Sequence, residues 1–180
     1  MQREKYRGLV DELARKRAAG GVQGCIAAVA FLREQLRGMA DKNDRWDIYG
    51  LTASEYELID DHAHSAVVYA ERAKEFPENP MSHATLAEAA ARAGNPQVEI
   101  VNTIDRALSL ALGQDRFVRA VLRARAEIAY RLCDKPLMED TARKLISDGG
   151  RARAEDIGSP QLVKELAERM GIDASLVAQL

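Results

Sequence analysis

Aromatic residues are scarce in this chain: one Trp, five Tyr and three Phe make up 5% of 180 residues. Ring packing cannot build the core, so Ala, Leu, Val and Ile must fill it, which suits closely approaching helices. Only two cysteines occur, Cys25 and Cys133, and they share no motif. Cys25 lies within an apolar stripe and reads as an inert core thiol; neither cysteine reads as a metal ligand or a nucleophile. Charge of one sign does not dominate either. The 26 Lys and Arg against 28 Asp and Glu leave a net −2, so no global field draws the chain to nucleic acid or anionic lipid. Long apolar runs are missing: the most apolar stretch, 25–32, is far too short to cross a bilayer. The charged opening, Met1-Gln2-Arg3-Glu4-Lys5, is unlike a signal peptide, so a cytoplasmic protein is expected. There is no glycine-rich phosphate loop, no Ser or Cys beside a plausible His and acid, and no zinc spacing. The expectation is a protein that is not an enzyme and takes no cofactor.

What is present is helical periodicity. Hydrophobic residues make up 47% and charged residues 30%, as in a globular chain with a core. Over 3–18 the apolar set is Tyr6, Leu9, Val10 and Leu13, broken by Gly20-Gly21. The next helix carries Val22, Cys25, Ile26, Val29, Leu32, Leu36 and Met39, steps of three and four that predict one buried face. A polar loop is expected over 41–50, with Trp46 and Tyr49 tucked over helix ends. Thr52 and Glu55 form a capping-box pattern for a third helix running to Pro77 through Tyr56, Ile59, Ala63, Ala66, Val67, Ala70 and Ala73. An alanine-rich helix follows over 81–93, then Gly94-Asn95-Pro96 as stop and restart. Helices with Ile100, Ile104, Ala107 and Leu108, then with Phe117, Val121, Ala124 and Ile128, precede the turn Asp134-Lys135-Pro136 and a seventh helix. Gly149-Gly150 is the expected boundary, dividing a helical domain over 1–148 from a terminal hairpin over 149–180 packed upon it. No segment shows the alternation of a strand. The fold class predicted is all-α, an antiparallel stack of helical hairpins.

Two stretches rhyme at a spacing of 34 residues: Glu71-Arg72-Ala73, followed by Phe76, and Asp105-Arg106-Ala107, followed by Leu108 and Leu110, an acid-Arg-Ala core with a large apolar residue after it. A repeat of that length marks stacked helix pairs, each too small to bury its own core. In the stretch 81–112, Leu86-Ala87, the turn Gly94-Asn95, and Ile104 with Ala107 match the pattern of a tetratricopeptide repeat (TPR), which the segment resembles. Ala66, Ala70, Ala73 and Pro77 supply the preceding half-repeat, and Ala142, 35 residues after Ala107, a degenerate third unit. The family's tryptophan and tyrosine of the first helix are absent, Ala90 standing at the tyrosine position. The resemblance implies a TPR-like superhelix whose work is protein–protein interaction or scaffolding.

Three features are candidate sites. Asp60 and His64, four apart in a cluster with Glu57, Asp61 and His62, share a helix face and could begin a metal site. No second pair accompanies them, and a solvated acidic face is the favoured reading, with no metal. The helix after Gly113 carries Arg116, Arg119, Arg123, Arg125 and Arg131 against Asp115 and Glu127. Arg116, Arg119 and Arg123 fall at i, i+3 and i+7, a stripe suited to an acidic peptide because the guanidinium fork pairs with carboxylates. Against it stands Arg123-Glu127-Arg131, an ordinary ladder on a wet face. The expected partner is a protein or acidic peptide, with a second copy of the chain as an alternative, and not a membrane.

Finally, the stretch 162–177 is similar to the helix-turn-helix of bacterial DNA-binding proteins through Ala167, Gly171 and Val177. That resemblance implies a transcription-associated regulator as the alternative function. Nucleic acid is nevertheless disfavoured: 151–180 holds four basic and five acidic residues, and its second helix offers only Gln179 to a base edge. The hairpin is expected to cap the stack through Leu162, Leu166, Met170, Leu176 and Leu180. A metal-dependent helical-bundle enzyme is the weakest alternative.

Overall fold

A computed structural model describes residues 3–18, 20–147 and 158–180. The described residues are all-α, with ten helices and no strand. They are α1 (Arg3–Arg17), α2 (Gly21–Gly38), α3 (Lys42–Glu57), α4 (His62–Glu75), α5 (Pro80–Ala93), α6 (Gln97–Ala111), α7 (Asp115–Leu132), α8 (Lys135–Ser147), α9 (Gly158–Arg169) and α10 (Ala174–Val177). The chain forms two compact units, Met1–Glu75 and Phe76–Leu180. The boundary expected at Gly149-Gly150 lies outside the described residues.

In the first unit α1 packs on α2, α2 on α3 and α3 on α4. Leu9 and Leu13 of α1 are buried, as are Cys25, Ala28, Val29, Leu32 and Leu36 of α2. The stripe expected on α2 is wider than the buried face: Val22 and Ile26 are 54% and 49% exposed. At Gly24 a Cβ would lie 2.8 Å from the Arg17 carbonyl oxygen, so glycine there lets α1 and α2 meet backbone to backbone.

The polar loop expected over 41–50 is instead the first half of α3. Asp41 caps it, its carboxylate accepting from the Asp44 N–H at 2.9 Å. Ile48, Tyr49 and Ala53 are buried, but so are Asp44, Thr52 and Glu55, which hid the helix's inner face from an apolar pattern. Thr52 does not cap a helix. It sits mid-helix and donates to the Ile48 carbonyl at 2.7 Å. Glu55 is fully buried and is gripped by both Nε and Nη2 of Arg17. The single helix expected from Thr52 onward is two, broken where Asp60 takes φ 56°. Asp61 restarts it, accepting from the His64 N–H at 3.1 Å.

The second unit is organised around α7, which packs on α5, α6, α8 and α9. Asn79 caps α5 by accepting from the Met81 N–H at 3.0 Å, and Gly94 ends it in the left-handed region at φ 75°. Ala84, Ala87, Ile104 and Ala107 are fully buried, so small side chains set a close α5–α6 contact. Ile128 is buried as expected, whereas Leu86 and Phe117 are only half-buried. The terminal hairpin packs on this unit through α7 and α8. Its most buried residues are Val163 and Ala167, with Leu166, Ile172 and Val177 behind them. Leu162, Met170, Leu176 and Leu180 lie partly buried against the same core.

Arg125 of α7 ties three helices together. Its Nε donates to Asp105 of α6 at 3.1 Å. Its Nη1 donates to the Thr141 hydroxyl of α8 at 2.7 Å and lies 2.8 Å from the Asp140 carboxylate. Arg72 plays a comparable part in the first unit, buried 4.2 Å from the Trp46 ring centre and 4.6 Å from that of Tyr69. Trp46 is thus a residue of α3 packed on a guanidinium and not a loop aromatic.

Candidate functional site

The arginines singled out by spacing are separated by the fold. Arg116 is exposed with its guanidinium 4.4 Å from the Phe117 ring centre. Arg119 is buried, at 6% exposure, because α7 is covered on several sides. Arg123 is exposed and donates to Glu127 at 2.9 Å. The three guanidinia therefore do not present one exposed row.

The acid-and-histidine cluster is resolved by local bonding. His64 pairs with Asp61 through Nδ1 at 2.7 Å and stacks on Tyr56 at 5.1 Å. Hydrogen bonds from the His64 ring and backbone hold the Asp61 carboxyl below its ordinary range. The Asp60 side chain is 96% exposed, 4.0 Å from His62 at its nearest. His83 is bonded to the Pro77 carbonyl at 2.8 Å. Among the described residues no three metal-ligating side chains converge, and no helix is long and apolar enough to cross a membrane.

A different part of α7 contributes to a groove. Between the end of α7, the start of α8 and one face of α9 lies a groove of about 730 Å³. Its floor is Leu162 and Leu166, four apart on α9, with Met170 in the turn just past the helix end, the same residues that seat the hairpin on the core. Tyr130 and Cys133 form part of the opposite wall. Cys133 is exposed at the left-handed end of α7, φ 53°. Arg131, Lys135 and Arg169 rim the groove and are all exposed, so it is an open trough and not a closed chamber.

Each of these three cations has an acid one helical turn away, and each of those acids is otherwise engaged. Glu127 accepts from Arg123 at 2.9 Å. Glu139 accepts from Arg143 at 3.0 Å. Glu165 accepts from the Gln161 amide at 3.1 Å. Asp134, next to Lys135, is held by Gln97 at 2.9 Å and by the Leu137 N–H at 3.0 Å. Among the described residues Arg131, Lys135 and Arg169 form no ion pair. Glu127 also lines the groove but is taken by Arg123, so an apolar floor beneath three cations left without an ion pair among the described residues can hold a ligand that is apolar on one side and carries carboxylates at its margins. Sequence spacing overlooked this site, since its members come from three helices. Comparison with protein-family models, with curated proteins and with solved structures finds no match to this chain.

Proposed function

We propose that this chain is a non-enzymatic interaction protein, built from TPR-like helix pairs, that holds an acidic segment of a partner protein between α7 and α9. The observation that carries the reading is the rim: three cations, without an ion pair among the described residues, standing over an apolar floor. A wet face of ion-pair ladders would contribute little to binding, because its charges are already matched. Unmatched cations beside buried-quality apolar surface supply both the steering charge and the desolvated contact that recognition needs. The helix repeats are the scaffold, and the terminal hairpin supplies the floor.

The test uses the full chain as bait in an extract of its native host. Wild type is compared with Arg131→Glu/Arg169→Glu, and with Arg116→Glu/Arg123→Glu as a control for charge elsewhere on α7. Proteins retained by wild type and the control but lost from the groove variant support the reading. The loss should be reproduced by raising salt, because exposed charge pairs are screened within about 10 Å at 0.1 M. Retention of the same proteins by all three baits refutes it.

A further inference from the structure

We propose that the occupant of the α7–α9 groove is an amphipathic α-helix with acidic residues on both flanks of its apolar stripe. This rests on the reading of the groove as a protein-binding site and specifies the form of the partner.

Backbone chemistry separates the helix from an extended segment. An extended peptide laid on Leu162, Leu166 and Met170 would turn half its N–H and C=O groups toward the groove. The groove has no strand edge and no amide side chain; its polar groups, Glu127, Tyr130, Arg131, Lys135 and Arg169, stand around an aliphatic floor of Leu162, Leu166 and Met170 that offers a backbone nothing. Each backbone group pressed onto that floor out of reach of both rim and water costs about 1–3 kcal/mol. A helix satisfies its own backbone internally and can present apolar side chains alone.

Dimensions agree. The floor runs from Leu162 of α9 to Met170 just past its end, eight residues or about 12 Å at 1.5 Å per residue. Apolar anchors at i, i+3 or i+4, and i+7 on a partner helix span about 10.5 Å by the same rise. The floor row is an i±4 ridge, the surface on which helices pack by interdigitation. Met170 adds a flexible, polarisable contact at one end.

Charge placement fixes the flanks. Arg131 and Lys135 stand on the α7–α8 side and Arg169 on the α9 side. Glu127 lines the α7 edge too but is bonded to Arg123, so a helix lying between the edges meets cations on both. It therefore carries Asp or Glu on both sides of its apolar face.

The experiment titrates the full chain with labelled synthetic peptides of about 18 residues, long enough for partial helicity in water. The first carries Leu at helical spacing with Glu on both flanks. The second is its scramble, the third has a central proline, and the fourth replaces Glu with Lys. Fluorescence anisotropy gives affinity, and methyl NMR of Leu162, Leu166 and Met170 reports the site. The first peptide should bind and shift those methyls, with the second and third at least about tenfold weaker and the fourth undetectable. Arg131→Glu/Arg169→Glu should abolish binding, and Arg116→Glu should not. If scramble and proline peptides bind as well as the first, the helical form is wrong while the acidic-segment reading stands. If no acidic peptide moves those methyls but decanoate does, the groove is a small-amphiphile site and both proposals fail.

Discussion

Replacing Arg125 with methionine tests how the second unit is held together. The guanidinium is 6% exposed and bonds to Asp105, Thr141 and the Leu137 carbonyl, with Asp140 2.8 Å away. Stranding a charge by breaking a fully buried pair costs about 3–5 kcal/mol. Here the carboxylates left behind are 49% and 41% exposed and regain water. Thr141 continues to donate to the Leu137 carbonyl at 2.6 Å, so no buried group is orphaned there. Methionine also keeps most of the aliphatic stem. The expected cost is about 2 kcal/mol, the order of one or two charge-assisted hydrogen bonds. Arg125→Ala additionally removes two buried methylenes, about 0.8 kcal/mol each, and leaves a cavity, so about 4 kcal/mol is expected. Urea unfolding reads both, and the methionine variant should lower Tm by about 4–8 °C at 2–4 °C per kcal/mol. A pH series adds a sign. Burial alone would push the Asp140 carboxyl up, but the Lys144 hydrogen bond and the Arg125 charge outweigh it and hold it below its ordinary 3.8. A carboxyl so depressed contributes stability above its unfolded pKa and loses it as pH falls through the folded value. The gap between wild type and Arg125→Met should therefore narrow below about pH 4. An unchanged urea midpoint in Arg125→Met would refute the clamp.

Three further substitutions probe packing and the first unit. Ala107→Leu overfills a fully buried α6 position and should cost about 1–3 kcal/mol, read as a lowered Tm; an unchanged Tm would remove Ala107 from the close contact. Gly24→Ala gains about 1 kcal/mol of helix propensity but sets a Cβ 2.8 Å from a backbone oxygen that cannot rotate away. The net should be destabilising, and a stabilised variant in urea would show that α1 yields freely. Tyr49→Phe removes the hydroxyl that donates to Glu75 at 2.9 Å and should cost about 1 kcal/mol near pH 7. Hydrogen bonds from Arg45 first and Tyr49 second hold the Glu75 carboxyl below its ordinary value. Its contribution is present above pH 4.5 and fades below it, so the Tyr49→Phe deficit should shrink in acid.

The helices of the second unit were legible because their inner faces are apolar. Ala84, Ala87, Ile104 and Ala107 recur at helical spacing, and Gly94 stops one helix where a left-handed residue is needed. In the first unit α3 was read as loop and half of a later helix. Its inner face includes Asp44, Thr52 and Glu55; Thr52 bonds a backbone carbonyl and Glu55 is held by Arg17. Those partners lie up to 38 residues away, beyond any local window. The converse holds in α2, where Val22 and Ile26 fit the period but are about half exposed. Periodicity reports which residues can share a face; only the number of helices packed around that face decides how much of it is covered.

The same distinction explains the site. Arg116, Arg119 and Arg123 share a stripe on an isolated helix, but α7 is surrounded, and burial takes Arg119 out of that stripe. Arg131 had been counted with Arg123 and Glu127 as one ladder. Two arginines compete for Glu127 in that ladder, and here the Nε of Arg123 takes it. The same competition leaves Lys135 outside the Glu139–Arg143 pair and Arg169 outside the Glu165–Gln161 pair. Local sequence offers two near-equal choices at each ladder, worth only about 0.2–0.5 kcal/mol per pair. Such small preferences are decided by where neighbouring helices leave room. It follows that one partner carboxylate per rim cation meets, among the described residues, no internal ion pair it must displace. Binding to this groove should then scale with the number of acids a ligand places at its margins, and not with the ligand's total charge.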